Sequence, residues 1–407
     1  MSNLAQVILK SGRDRSVRNR HPRLFAGGIK QIDGKPRDGE AVDVIDNRGE
    51  WLARGVINQQ AQIAVRLMTW DAAEAIDEAL WQRRVIAAVQ RRDQDPNLRG
   101  TNARRLIFGE SDGLPGVVAD EYAGHIVLQI STLAAANVKP LIVETLAQAA
   151  RAISITERSD EERARHERVK ESLGPLFGET PGEPVEIHEG PYRFKVNVSG
   201  SGQKTGFYLD QRINRATVAR YIKTGDSVLN GFSYTGAFSI YAAAAGACHI
   251  VNVDSSADAL AGAQAHADLN GVVRVCADDP TAGMEYVLSD AFDDLRTRRK
   301  LGEQFDMVIL DPPKFAHHTG QIDKAARAYK DLNRVGFNLL KPGGILATFS
   351  CSGVVSPDLF QKIIFSAALE ASRDAQIVER LTQASDHPVL LSFPESEYLK
   401  GLVCRVL

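Results

Sequence analysis

The chain has 407 residues, 44% hydrophobic and 25% charged, with a formal net charge of −2. This length and composition suggest a globular protein of two or three domains, and no apolar run reaches the roughly 20 residues a membrane-spanning helix needs. The N-terminal stretch MSNLAQVILKSGRDRSVRNR lacks the apolar core and small-residue cleavage site of a secretory leader, so a cytoplasmic location is expected.

The near-neutral total conceals an asymmetry. Residues 1–37 carry nine lysines and arginines against two acids, Asp14 and Asp33, a net +7 that leaves −9 for the remainder. A basic end on an acidic body points to a polyanion contact there, with a plain solvated face as the alternative. The candidate contacts are Arg13, Arg15, Arg18, Arg20 and Arg23.

In chain order, residues 1–72 read as short strands: AVDVIDNRGEWLARGVI has two β-rich runs around Asn47-Arg48-Gly49, and QIAVRLMTW is a further strand. Helical spacing over 74–92 opens a second part, 73–190. It continues with a hairpin turning at Ala123-Gly124, a helix over about 134–151 and a strand at 153–157. SDEERARHERVKE has little to bury and reads as a solvated helix or loop; LGPLFGETPGEP reads as a connector. VEIHEGPYRFKVNV is a hairpin leading into the third part, 191–407.

That third part alternates strand candidates (SVLNGF, HIVNVD, MEYVLSD, FDMVILD, GILATFS) with helical stretches at 236–247, 256–270, 291–300 and 322–340. The pattern predicts an α/β domain whose parallel sheet is covered on both faces, with ligands at the carboxyl ends of the strands. Those ends carry polar residues. The first closes in a turn containing Gly231 and Gly236, which alone is a weak nucleotide signal. The second closes in Asp254, placed to accept from ribose hydroxyls, and the third in Ser289-Asp290, suited to an adenine amino group. The fourth closes in Asp311-Pro312-Pro313, where proline stops the strand. A single strand-end acid is often a helix cap; three at successive ends are harder to explain that way.

HPRLFAGGI (21–29), GESDGLPGVVAD (109–120), KTGFYLDQR (204–212), NGFSYTGAFS (230–239), LDPPKF (310–315), FSCSG (349–353) and DHPV (386–389) together resemble one family over nearly the whole chain. It is the class I S-adenosylmethionine-dependent RNA methyltransferases, more closely the bacterial 23S rRNA cytosine-C5 methyltransferases of the large-subunit methyltransferase I type. The resemblance implies a PUA-like RNA-binding domain, a central α+β domain and a Rossmann-like domain with a seven-stranded sheet, whose antiparallel last strand YLKGLVCRVL would supply. It implies S-adenosylmethionine as cofactor and RNA as partner, without membrane or metal, and leaves homodimerisation open. The implied cofactor residues are Lys204, Thr205, Gly206, Asp210, Arg212, Asn230, Phe232, Ser233, Tyr234, Thr235, Gly236, Asp254, Ser255, Asp290, Ala291, Phe292, Asp311, Pro312 and Pro313. For Asp210, a helix cap is the plainer reading.

The chemistry singles out Cys351. Cytosine C5 is too weak a nucleophile to take a methyl group until a thiolate adds to C6. Related enzymes of this chemistry carry the attacking cysteine in the Thr/Ser-Cys-Ser position after this strand, and many have a second beside the preceding strand's proline. Here that second position is Asp-Pro-Pro-Lys. Asp311 is expected to hold the cytosine N3 edge, and Lys314 to meet developing charge or phosphate, a solvated loop lysine being the alternative. Cys248, Cys276 and Cys404 read as structural, and the four cysteines show no spacing that predicts a disulfide or metal site. Two other classes stay open: an exocyclic-amine methyltransferase, for which Phe315 comes one place late after Asp-Pro-Pro, and a non-catalytic RNA-binding protein on a relict fold.

Overall fold

A computed structural model describes residues 4–158, 167, 169, 173–199, 206–272 and 282–407. The chain divides into two compact units. The first comprises Met1–Gly190, Val196–Leu209 and Ser385–Ser396; the second comprises Pro191–Lys195, Asp210–Ala384 and Glu397–Leu407.

The first unit holds two sheets. Strands Gln6–Leu9, Arg23–Phe25, Ile29–Asp33, Ala41–Ile45, Trp51–Ile57 and Ile63–Thr69 form a six-stranded sheet. Its core includes Val7, Leu9, Val42, Val44 and Val65, placed inward by the period-2 alternation of the strands. The hairpin predicted around Asn47-Arg48-Gly49 is present, with Ala41–Ile45 antiparallel to Trp51–Ile57. Helix Glu78–Gln94 starts where the Asp77 carboxylate accepts the Leu80 N–H at 2.9 Å, so the predicted helical segment begins four residues later than its apolar spacing suggested. The helix expected over 134–151 is two, Leu133–Asn137 and Lys139–Ala150, because Pro140 lacks an N–H and starts a new helix.

The five-stranded sheet and the charged stretch before its edge strand each contain one departure from the sequence reading. Leu173–Phe177, expected to be part of a connector, is its edge strand, antiparallel to Ser154–Arg158. An edge position tolerates Pro175 because one side of the strand needs no ladder donor. Within the charged stretch 159–171, which mostly lies outside the described residues, Glu167 is buried and accepts from Arg66 Nη2 at 2.5 Å and from Asn58 Nδ2 at 3.3 Å. A carboxylate with a guanidinium partner can be buried where composition alone suggested solvent.

The second unit is a seven-stranded sheet: β1 (Ser227–Gly231), β2 (His249–Asp254), β3 (Gly283–Leu288), β4 (Phe305–Leu310), β5 (Leu340–Ser350), β6 (Ala375–Thr382) and β7 (Lys400–Val406). Their spatial order is β3-β2-β1-β4-β5-β7-β6. β1 through β5 run parallel where they pair, and β7 is antiparallel to both β5 and β6. Helices Ala237–Ala244, Ala257–Leu269, Ala291–Leu301, Ile322–Asn338 and Pro357–Glu370 intervene. Near-continuous apolar strands such as Val308-Ile309-Leu310 are fully buried, as a sheet covered on both faces requires. Strand order reverses at β1, between β2 and β4, which makes the carboxyl ends of these strands the crevice of the fold.

Candidate active site

The crevice begins with the turn after β1. Phe232 and Tyr234 have φ of 59° and 47°, and Gly236 has 72°. Two left-handed non-glycine residues in one short turn store strain of roughly 1–3 kcal/mol each. The neighbouring strand holds this geometry in place: Asp254 Oδ2 accepts the Tyr234 N–H at 2.8 Å, while Oδ1 accepts the Ser256 N–H at 2.9 Å. At position 236, a Cβ would come within 2.9 Å of the Ala263 Cβ. From the helix Ala257–Leu269, buried His266 has Nδ1 2.9 Å from the Thr235 carbonyl, and its Nε2 accepts the Lys195 N–H at 2.9 Å. This pairing puts the proton on Nδ1. Burial drives the His266 pKa down, outweighing its backbone hydrogen bonds.

Asn230 departs from the sequence expectation. Its side chain is buried and donates to Ser239 Oγ at 2.8 Å, and that hydroxyl donates to Asn252 Oδ1 at 2.6 Å. The amide therefore locks β1 to β2 from inside and is turned away from the crevice. Ser233 is buried too, but its Oγ has no hydrogen-bond partner among the described residues. Ser255 is exposed beyond β2.

At the end of β3, Asp290 caps the next helix, its Oδ1 accepting from the Phe292 and Asp293 N–H groups at 2.9 and 3.2 Å. The plain capping role is therefore real, and Oδ2 is not used in it. Ala291 is buried, and Phe292 sets its ring edge-on to Phe232 at 6.0 Å, joining the third strand end to the first turn.

β4 and β5 lead into the two residues expected to react, Asp311 and Cys351. Leu310 is in register with Thr348, so Asp311 and Cys351 leave the sheet from neighbouring strands. Cys351 is half-buried, and its Sγ lies 4.0 Å from the Pro312 carbonyl oxygen. Pro313 is exposed and Lys314 half-buried. Asp311 Oδ2 accepts from Gln211 Nε2 at 3.0 Å, and Gln211 Oε1 in turn accepts from Asn214 Nδ2 at 2.6 Å. Gln211 lies inside the KTGFYLDQR stretch, yet the sequence reading passed over it for its charged neighbours. Of those neighbours, Asp210 accepts from the Tyr398 hydroxyl at 2.5 Å through Oδ2, while its Oδ1 is buried without a partner among the described residues; Arg212 is buried in the helix that follows. Lys204 and Thr205 lie outside the described residues. Gly206 has φ of 109° and belongs to the first unit, whereas Asp210 and Arg212 belong to the second.

The serines flanking Cys351 face inward. Ser350 Oγ donates to the Tyr329 hydroxyl at 2.9 Å, that hydroxyl lies 3.2 Å from Ser352 Oγ, and Ser352 Oγ accepts the Ala316 N–H at 3.2 Å. All three side chains are buried. One tyrosine thus ties both sides of the cysteine to the segment after the Asp-Pro-Pro turn. Nothing in the local sequence marks Tyr329, which comes from the middle of a long amphipathic helix. Of the remaining cysteines, Cys404 is buried, with its thiol pushed up to about 12 by that burial. Cys248 is disulfide-bonded, contrary to the expectation from spacing, because a disulfide needs proximity in the fold and no sequence regularity. Cys276 lies outside the described residues.

In the first unit, the five N-terminal arginines divide. Arg18 pairs with Asp14, Asp46 and Glu50 at 2.6 to 3.0 Å. Arg23 pairs with Glu110 at 2.8 Å and lies over the Phe393 ring at 4.4 Å. Arg13, Arg15 and Arg20 are exposed and have no ion-pair partner among the described residues. The DHPV stretch is structural: Asp386, fully buried, accepts the Arg105 N–H at 3.0 Å and has His387 Nδ1 2.9 Å from its other oxygen.

A profile of S-adenosylmethionine-dependent methyltransferases matches residues 126–404, and one of PUA-like domains matches 7–70. Two curated relatives named ribosomal RNA large subunit methyltransferase I align along the whole chain. The protein of Shewanella denitrificans is 46% identical, covering 98% of this chain and 99% of its own; that of Aeromonas salmonicida is 45% identical, covering 98% of each. The chain belongs to the S-adenosylmethionine-dependent methyltransferases of the ribosomal RNA large subunit methyltransferase I family. Its methyl donor is S-adenosylmethionine. Among solved structures, SMU.776, a candidate methyltransferase in complex with SAH, superposes with a TM-score of 0.83 over 98% of this chain and 100% of its own; at 22% identity it is a likeness of fold. The β3-β2-β1-β4-β5-β7-β6 sheet with its antiparallel β7 is the one that the sequence resemblance implied.

Proposed function

We propose that this enzyme methylates C5 of a cytosine in large-subunit ribosomal RNA, with Cys351 as the nucleophile that activates the base. The substrate class follows the names of the full-length relatives. The observation that carries the chemistry is the pairing of Cys351 at the end of β5 with the Asp311-Pro312 turn at the end of β4, Sγ standing 4.0 Å from the Pro312 carbonyl.

S-adenosylmethionine, when bound, supplies a methyl group on a positively charged sulfur. The residues at the crevice fit such a ligand. Ser233 Oγ and Asp210 Oδ1 are buried without partners among the described residues, a cost of about 1–3 kcal/mol each that polar groups of a ligand would remove. Asp254 spends one lone pair of each oxygen on the backbone and keeps the others for ribose hydroxyls. Phe232 and Phe292 offer ring faces and edges beside Asp290, whose Oδ2 is outside the cap. Thr235, Gly236 and Pro313 complete the wall, and Arg212 contributes from the preceding stretch. Asn230 acts by holding the turn.

Cys351 loses its proton, and the thiolate forms a bond to cytosine C6, which makes C5 an enamine-like nucleophile. Asp311, steadied by Gln211, holds the N3 edge where charge develops. After C5 has been methylated, loss of the C5 proton and expulsion of the thiolate restore the aromatic ring. Lys314 is placed to meet negative charge on base or phosphate. Phe315 packs against Phe292 and Tyr329, with centroids 5.9 and 4.6 Å apart. It is thereby committed to the interior, which counts against the amine-methylation reading, where an aromatic must stack on the base. Residues 1–72 act as the RNA-binding domain, 73–190 as the central domain and 191–407 as the catalytic domain, with Arg13, Arg15 and Arg20 toward phosphate.

Transfer of labelled methyl to 23S rRNA, followed by nucleoside digestion and mass spectrometry, tests this. Label in 5-methylcytidine is expected; label in N4-methylcytidine or in no nucleoside overturns it.

A further inference from the structure

Lys400 opens β7 directly opposite Ser350 in the antiparallel register. It is 4% exposed, and its Nζ donates to the carbonyls of Ser352 at 2.8 Å and Val355 at 2.7 Å. Lysine is rarely buried without a counter-charge, yet no carboxylate lies within ion-pair distance of Lys400 among the described residues. The two carbonyls use two of the three ammonium protons. Both belong to the turn that begins at Cys351, and residues 351–355 contain no acid. The sulfur is the only group of that turn able to carry negative charge near neutral pH.

We propose that Lys400 is a positioning residue for Cys351: its buried ammonium fixes the turn after the nucleophile and favours the thiolate over the thiol. The inference rests on the reading of Cys351 as the nucleophile. In a poorly hydrated site an opposite charge stabilises an anion far more than it does in water. The cysteine proton departs to solvent, and Lys400 keeps its own, so it neither donates nor accepts in the reaction. Charged and titratable groups facing this corner are few. Tyr329 comes from the helix Ile322–Asn338, Asp311 and Lys314 from the turn after β4, and Glu397 from the approach to β7. Burial lowers the Lys400 pKa to about 8, with Cys351 and Glu397 acting to raise it and Lys314 to lower it. A thiolate at Cys351 and the Lys400 ammonium would each favour the other's charged form.

The test is the rate of Cys351 alkylation by iodoacetamide against pH in the full chain, read from the mass of the Cys351 peptide. Lys400→Gln keeps a hydrogen-bond donor but removes the charge. It should move the midpoint up by about one pH unit, whereas Lys400→Arg should leave it in place. A Lys400→Gln variant that folds, binds S-adenosylmethionine normally and keeps the wild-type midpoint overturns the proposal and reduces Lys400 to a loop tie. Should the Gln variant fail to fold, the reciprocal measurement decides. Titration of the Lys400 ε-methylene by NMR in Cys351→Ala should show its midpoint fall below the wild-type value, and an unmoved midpoint overturns the proposal. Wild-type turnover in Cys351→Ser would instead sink the nucleophile reading, independently of either titration.

Discussion

The sulfur of Cys351 stands 4.0 Å from the carbonyl oxygen of Pro312. The two residues follow adjacent parallel strands, and the proline is what turns β4 aside two residues before β5 ends. The same register places Asp311 beside the cysteine and sets Lys400 across from Ser350 on the far side of β5. Cys351, Asp311 and Lys400 thus come from three neighbouring strand ends, and in the proposed site they serve as nucleophile, acid and positioning cation.

Asp254 supports both the turn and, in the proposed site, the ribose. Asp254→Ala removes the acceptor for Tyr234 N–H as well as the ligand contact, which should weaken S-adenosylmethionine binding by about 1.5–3 kcal/mol, roughly ten- to a hundredfold in Kd. Isothermal calorimetry giving wild-type affinity would contradict this placement.

His266 makes the turn sensitive to acid. Burial holds its folded pKa below the ordinary histidine value of about 6.5, so below that pH the unfolded chain takes up a proton before the folded one does. The contribution is complete above about pH 6.5 and is lost as pH falls through the folded pKa. Protonating Nε2 would also set a donor against the Lys195 N–H. Thermal unfolding from pH 7 to 5 should show wild type losing stability relative to His266→Leu. Parallel pH dependences would remove His266 as the cause.

The N-terminal arginines should separate by their partners. Exchanging Arg13, Arg15 and Arg20 for Gln should lower the slope of log affinity for RNA against log salt by about 2. Arg18→Gln should leave that slope almost unchanged, since Asp14, Asp46 and Glu50 already occupy its guanidinium. Equal losses of slope from all four positions would mean that the internal ion pairs open on binding.

How far the sequence spoke depended on how local the determinants were. The strands of the second unit were legible because apolar runs alternate with helical spacing, and their ends because Asp254, Asp290 and Asp311 follow those runs directly. Cys351 stands out in the sequence as a candidate through its serine neighbours and the preceding Asp-Pro-Pro. Tyr329, Lys400 and His266 were not, because each matters only through a partner brought close by the sheet order. Leu173–Phe177 was obscured by its glycine and proline, which an edge strand tolerates. Glu167 was obscured by the charges around it, whose burial depends on Arg66 from a distant strand.

Covalent capture tests the central chemistry most directly. RNA carrying 5-fluorocytosine at the target position should form a stable adduct with the wild-type enzyme and S-adenosylmethionine, because fluorine cannot leave as the C5 proton does and the thioether to C6 persists. Peptide mass spectrometry should place the RNA on Cys351; Cys351→Ser should form no adduct and show no turnover while binding S-adenosylmethionine with near wild-type affinity, since a serine hydroxyl provides almost no attacking anion near neutral pH. An adduct on any other residue, or wild-type turnover in Cys351→Ser, would contradict a Cys351 nucleophile.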